Sequence, residues 1–108
     1  MITYNFAEKF TTEPGPRFKN LGDNSGEKFR EDVLDDVFTN DEAIEIDVTG
    51  VILSFGPSFL SESFGKVAVQ NGKQKFYSLI KFKDNNESNK RFKIKVTKYV
   101  DNALKKAK

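Results

Sequence analysis

The residues Ile44-Glu45-Ile46-Asp47-Val48 alternate apolar with acidic, and they stand between two segments whose apolar residues recur every three or four positions. Upstream these are Phe29, Val33, Leu34, Val37 and Phe38; downstream they are Leu60, Phe64, Val67 and Ala68. A period of two marks a strand with one buried face, and a period of about 3.6 marks an amphipathic helix. Ile2-Thr3-Tyr4-Asn5-Phe6 repeats the strand pattern at the start of the chain, and Lys75-Phe76-Tyr77-Ser78-Leu79-Ile80-Lys81-Phe82 reads as a third strand. Strands alternating with helices build a layered, mainly parallel sheet joined by right-handed crossovers, so the expected fold class is α/β.

Punctuation residues place the boundaries. Thr11 to Asp23 carries Pro14, Gly15, Pro16 and Gly22 and reads as a loop, with a short strand around Arg17 to Leu21. Asn24 followed three residues later by Glu27 resembles a capping box that starts the first helix, which ends at Thr39-Asn40-Asp41. The next strand starts near Ala43 and extends through the apolar run Val51-Ile52-Leu53, with Gly50 at a bend or bulge. Gly56-Pro57-Ser58 opens a second helix that stops near Asn71-Gly72. After Asp84-Asn85-Asn86, Phe92, Ile94 and Val96 suit a strand, whereas Phe92, Val96, Tyr99, Val100, Ala103 and Leu104 suit a helix; length and the Ala-Leu-Lys-Lys-Ala ending favour the helix, with Ile94 at the edge of its stripe. The 108 residues and eleven phenylalanines suffice for one core, so residues 1–108 form one domain. Residues 1–23 are its N-terminal strand and loop, 24–104 its alternating helices and strands, and 105–108 a basic tail.

Composition removes several function classes. There is no cysteine, hence no disulfide or thiolate, and a reducing cytoplasm suits the chain. There is no histidine, the commonest catalytic base and metal ligand, so no metal and no cofactor are expected. A net charge of +2 gives no reason to expect a nucleic-acid partner. No apolar run is long enough for a bilayer and no signal-peptide pattern is present, so the expectation is a cytoplasmic protein without a membrane partner. The charge is unevenly spread: Glu27 to Asp47 holds nine acids against two bases, and Asp84 to Lys108 eight bases against three acids. Two readings stand: solvated helix faces that offset each other, or a bipolar surface that orients a charged partner.

The stretch Ser54-Phe55-Gly56-Pro57-Ser58-Phe59-Leu60-Ser61-Glu62-Ser63-Phe64-Gly65-Lys66 sets four serines at a strand-to-helix junction. In open α/β sheets that rim is where function collects. Ser58 is either a helix cap or, with Pro57 as first helical residue and Gly56 as cap, a freer hydroxyl. A serine nucleophile lacks a histidine base here, and nothing marks Lys66 or Lys73 as a buried substitute, so no enzyme is expected. Gly50, Gly56 and Gly65 form no phosphate-cradling loop. Arg17, behind Pro14-Gly15-Pro16, is either an anion clamp or the partner of a helix acid such as Glu27. Asp47 is either a turn former or an acid facing Ser58 across the rim.

Four elements in order carry a resemblance. They are Pro14-Gly15-Pro16-Arg17; Ser25-Gly26-Glu27 with Phe29-Arg30; Ile46-Asp47-Val48-Thr49-Gly50-Val51; and Pro57-Ser58-Phe59-Leu60-Ser61-Glu62-Ser63-Phe64-Gly65. Over residues 14–104 they resemble a bacterial family of small STAS-like proteins of unknown function, itself similar to the anti-sigma factor antagonist (STAS) domains. The resemblance implies a small single-domain sheet of about four strands, partly parallel, with three main helices packed mainly on one side. It also implies a non-enzymatic regulatory module for protein–protein interaction, with a partner of the histidine-kinase-like ATPase or anti-sigma regulator type. By that motif Asp47 matches the antagonists' strand aspartate and Ser58 their phosphoacceptor, although Gly56-Pro57-Ser58-Phe59 stands where antagonists carry Asp-Ser-Ser-Gly. The expected partner surface is Arg17, Ser25, Glu27, Asp47, Pro57, Ser58, Ser61 and Glu62. The alternative is a small-ligand or anion-binding module with Arg17, Ser25 and Ser58 in a pocket at the sheet rim.

Overall fold

A computed structural model describes residues 1–107. The chain opens on β1 (Ile2–Asn5), which turns at once into the one-turn helix α1 (Phe6–Lys9), where the Asn5 side chain accepts from the Glu8 N–H. A loop with one 3₁₀ turn at Lys19–Leu21 leads to α2, residues 26–40. This helix is α-helical over Gly26–Phe29, π-helical over Arg30–Leu34 and α-helical again over Asp35–Asn40. Next come β2 (Ile44–Asp47) and α3, residues 57–71, which repeats the plan with a π-helical turn at Ser61–Gly65 between Pro57–Leu60 and Lys66–Asn71. Helix α4 (Lys73–Leu79) runs without a loop into β3 (Ile80–Phe82), and α5 (Glu87–Lys106) closes the fold.

The three strands form one parallel sheet in the order β1-β2-β3. Register puts Ile2, Ile44 and Ile80 in one row and Tyr4, Ile46 and Phe82 in another, while Thr3, Glu45 and Lys81 line up between them. Side chains alternate across a strand, so the first two rows share one face and the third points the other way. Ile44, Ile46 and Ile80 are buried, whereas Thr3 and Lys81 are exposed and the Thr3 hydroxyl donates to Glu45 Oε1 at 3.1 Å. The sheet therefore has one core face and one polar face. This is why its strands read as alternating, where a sheet covered on both sides would show continuous apolar runs.

Phenylalanines join the layers. Phe29 of α2 lies 5.0 Å from Phe6, 6.0 Å from Phe59 and 5.6 Å from Phe64, centre to centre. Phe92 of α5 continues the cluster to Phe55 at 4.6 Å and Phe64 at 5.7 Å. Each tilted or edge-on aromatic pair adds about 0.5–1.5 kcal/mol beyond its burial.

Several expectations need correction. Among the described residues the sheet has three strands, not about four, and the helices number five when α1 and α4 are counted. Most of the stretch from Lys75 to Phe82 is helix α4, and only Ile80–Phe82 is strand. Phe76 and Leu79 are buried three residues apart, a spacing that serves a helix. Strand β2 ends at Asp47, and Val51-Ile52-Leu53 belongs to a loop in which Ile52 is 73 % exposed. Residues 17–21 hold a 3₁₀ turn in place of a short strand, and the cap of α2 is Ser25, whose hydroxyl accepts from Lys28 N–H, with Asn24 at φ 56° before it. Helix α5 forms as the last-segment pattern suggests, with Phe92, Val96 and Val100 buried, but Ile94 is 71 % exposed and lies off that stripe.

Helices α2 and α3 touch backbone to backbone at Gly26, where an added Cβ would sit 2.6 Å from the Phe59 carbonyl oxygen. Gly26→Ala is expected to lower stability by about 1–3 kcal/mol, the range for overpacking a filled site. Urea unfolding of the purified variant checks this, and an unchanged midpoint contradicts the close contact.

Candidate functional site

The loop with two prolines lies over the start of α2. Pro16 and Arg17 carbonyls accept from the Gly26 and Glu27 N–H groups, both at 2.9 Å, and Gly15 N–H donates to the Asn24 carbonyl at 3.0 Å. A helix start leaves unpaired N–H donors. Here the loop backbone and the fully buried Ser25 hydroxyl take them, so Ser25 is spent on the cap and enclosed. Glu27 Oε1 accepts from Lys19 N–H at 2.9 Å, which fastens the far side of the loop. Lys19 Nζ also meets Glu31, and this contact holds the Glu31 carboxyl below its usual range.

Held in this way, Arg17 reaches α3. Its Nη1 is 3.9 Å from Glu62 Oε1, so its helix acid is Glu62 and not Glu27. Glu62 is 6 % exposed, and Oε2 also lies 3.4 Å from Arg30 Nη2 and 3.3 Å from Lys66 Nζ. Arg30, 8 % exposed, turns Nη1 toward Asp35 Oδ2 at 3.6 Å, while its Nε is buried without a partner among the described residues. One buried carboxylate thus joins a loop arginine, a buried helix arginine and an exposed lysine. Both buried partners sit on the facing π-helical turns of α2 and α3. Arg30 stands outside the expected site residues. Its signal is positional: Gly26, Arg30 and Leu34 recur every four residues on a buried row, and a cation in such a row requires an acid opposite.

Pro57 is the first residue of α3 and Gly56 its cap, with no side-chain capping bond, so Ser58 is not the cap. Ser58 is exposed, Pro57 is exposed and Ser61 is half-buried. Ser58 stands about one helical turn before Glu62 along α3. Ser63 plays a different part: it is fully buried and donates to the Phe59 carbonyl at 2.7 Å.

Asp47 lies apart from this group, at the carboxyl end of β2. Its Oδ1 accepts from Thr49 N–H at 2.9 Å and from Asn89 Nδ2 at 3.0 Å, and Lys83 Nζ is 3.9 Å from Oδ2. Asn89 Oδ1 in turn accepts from Val48 N–H at 2.8 Å. Asp47 is therefore a turn former that also fastens the strand end to α5. Burial pushes its carboxyl up, but the bonds from Thr49 and Asn89 and the Lys83 charge outweigh that and hold it below the ordinary 3.8. The structure thus brings Arg17, Ser25, Glu27, Pro57, Ser58, Ser61 and Glu62 to the junction of α2, α3 and the loop, and leaves Asp47 with Asn89. Among the described residues, no group of three or more acids is arranged to hold a metal ion, and no helix is long and apolar enough to cross a membrane.

A three-stranded parallel sheet with a helical layer, and a cation-ringed glutamate one turn after an exposed helix-start serine, define a small two-layer α/β domain. The chain belongs to the family described as the STAS-like domain of unknown function (DUF4325), whose model matches residues 25–90. No curated protein and no solved structure matches it.

Two outcomes are expected. Glu62→Ala leaves the buried Arg30 with only the half-exposed Asp35 at 3.6 Å and should cost about 3 kcal/mol, the lower end of the range for breaking a buried pair, whereas the double change Arg30→Met, Glu62→Met should regain most of that; chemical denaturation of both variants checks it. For Asp47 the folded pKa is lowered, so its contribution is present above 3.8 and is lost as pH falls through the folded value. The stability gap between wild type and Asp47→Asn should therefore shrink below pH 3.8, read from urea midpoints across a pH series.

Proposed function

We propose that this domain is a non-enzymatic regulatory module that docks a protein partner on the first turns of α3 and the adjoining loop. The observation that carries the reading is Ser58: an exposed hydroxyl in the first turn of a helix, one turn before a glutamate that is locked to Arg17 and Arg30. Such a lock holds the surface rigid, which lowers the ordering cost of binding. Phe18 and Leu21, 40 % and 65 % exposed, add apolar area beside Arg17, whose guanidinium lies 5.9 Å from the Phe18 ring centre. Exposed aromatic and arginine side chains of this kind are typical anchors of protein interfaces.

By similarity to the antagonists, the partner is of the histidine-kinase-like ATPase or anti-sigma regulator type, and phosphate on Ser58 switches docking. A phosphoserine there adds nearly two negative charges at the docking surface, one turn before Glu62 and within the field of Arg17 and Lys66. Affinity capture from the native host with wild type, Ser58→Asp, Arg17→Ala and, as a control away from this surface, Ile94→Ser is the test. The partner should be lost with the first two variants and retained with the third. Retention with all three moves the docking surface elsewhere. Incubation with the captured kinase and ATP should add one phosphate by intact mass, and none in Ser58→Ala; a phosphate that persists in Ser58→Ala removes the switch.

A further inference from the structure

Because all three strands are parallel, their amino ends lie at one end of the sheet and their carboxyl ends at the other. The two ends carry opposite chemistry. At the amino end a groove of about 260 Å³ is floored by Ile2, Tyr4 and Ile44 and rimmed by Asp32, Asp36 and Glu42. Ile2 is 56 % exposed, and no salt bridge among the described residues engages those three acids. Burial, helped by the Asp32 charge, pushes the neighbouring Tyr4 hydroxyl up to about 12. At the carboxyl end the loop after β2 exposes Ile52 and Leu53, and Arg91 and Lys95 of α5 line the same groove, of about 440 Å³. Lys95 Nζ donates to the Phe55 carbonyl at 2.6 Å, which fixes it there, and among the described residues the ion pair of Arg91 is with the strongly exposed Glu87 at 3.9 Å.

We propose that copies of this chain associate head to tail along the strand direction, the Ile52-Leu53 tip and the Arg91 and Lys95 cations of one seating in the acidic, apolar groove of the next. A single copy cannot join its own two ends, because they lie at opposite ends of the strands. A second copy supplies both an apolar floor for the two aliphatic side chains and acids for the two cations. The charge asymmetry along the sequence thereby becomes a complementary pair of surfaces. The contact is heterologous, so it does not close on two copies and continues into chains or rings. It is argued from other residues than the docking reading above, so the failure of one leaves the other standing.

The test is sedimentation of the purified chain over a concentration series at low and high salt. The weight-average mass should rise with concentration to that of a dimer and beyond at low salt. It should return to the monomer at high salt, since the screening length falls from about 10 Å at 0.1 M to about 3 Å at 1 M. Leu53→Ser with Arg91→Ser, and separately Asp32→Asn with Asp36→Asn, should each remain monomeric with the wild-type far-ultraviolet spectrum. Mixed, the two variants retain one intact contact between them and should form a one-to-one dimer that grows no further. A wild-type monomer at every concentration overturns the proposal, and so does association that survives in either variant. A mixture that stays monomeric overturns the head-to-tail geometry. A monomer stabilised against heat by inorganic phosphate, with the effect lost in Arg91→Ser, assigns the basic groove to a small anion instead.

Discussion

The closeness of α2 and α3 governs most of what this domain presents to solvent. Gly26 admits the Phe59 backbone, and that approach brings Arg30 and Glu62 within ion-pair distance, both nearly without water. A buried charge pair of this kind is weak support for stability, because desolvation offsets much of the attraction. Its effect is on placement: a carboxylate that must be satisfied in the interior draws Arg17, and with it the proline-flanked loop, onto the helix pair. The loop in turn satisfies the first N–H groups of α2. Removal of any one part strips a buried polar group of one of its partners, so the loop, the helix start and the ion pair act as one unit.

A second polar group holds the opposite side. Asp47, Thr49, Asn86 and Asn89 tie the carboxyl end of β2 to the start of α5, with Asn86 capping that helix and donating to Thr49 Oγ1 at 2.9 Å. The strand aspartate that the family resemblance associates with a switching serine is here a structural fastener. The serine junction is organised instead by Glu62, a residue of the same helix.

Much of this was legible in the sequence, and the gaps have physical causes. Helices α2, α3 and α5 declare themselves because each buries one stripe and their caps use Ser, Gly with Pro, and Asn. Helix α4 was hidden because Phe76, Leu79 and Ile80 satisfy a short strand as well as a helix, and no breaker separates the two elements. Val51-Ile52-Leu53 reads as interior because apolar runs usually are; here only tertiary structure reveals that Ile52 and Leu53 face solvent. Ser58, Arg17 and Glu62 were recognisable as residues to watch, but the partner of Arg17 depends on how two helices cross, which no local pattern encodes. Arg30 gave the clearest overlooked signal, a cation within an apolar row.

The paired π-helical turns also bear on how this sequence can vary in length. Each turn holds one residue more than an α-helical turn needs, so deletion of a single residue within 30–34 or 61–65 restores regular α-helix locally. The segment beyond the deletion then keeps its face, because a π-helical turn takes up its extra residue without turning the helix on either side of it. In α3 that leaves Val67 and Ala68 in the core. Single-residue gaps between related chains should therefore fall within these two turns, since a deletion in the α-helical turns beside them would rotate the rest of the helix by about 100°.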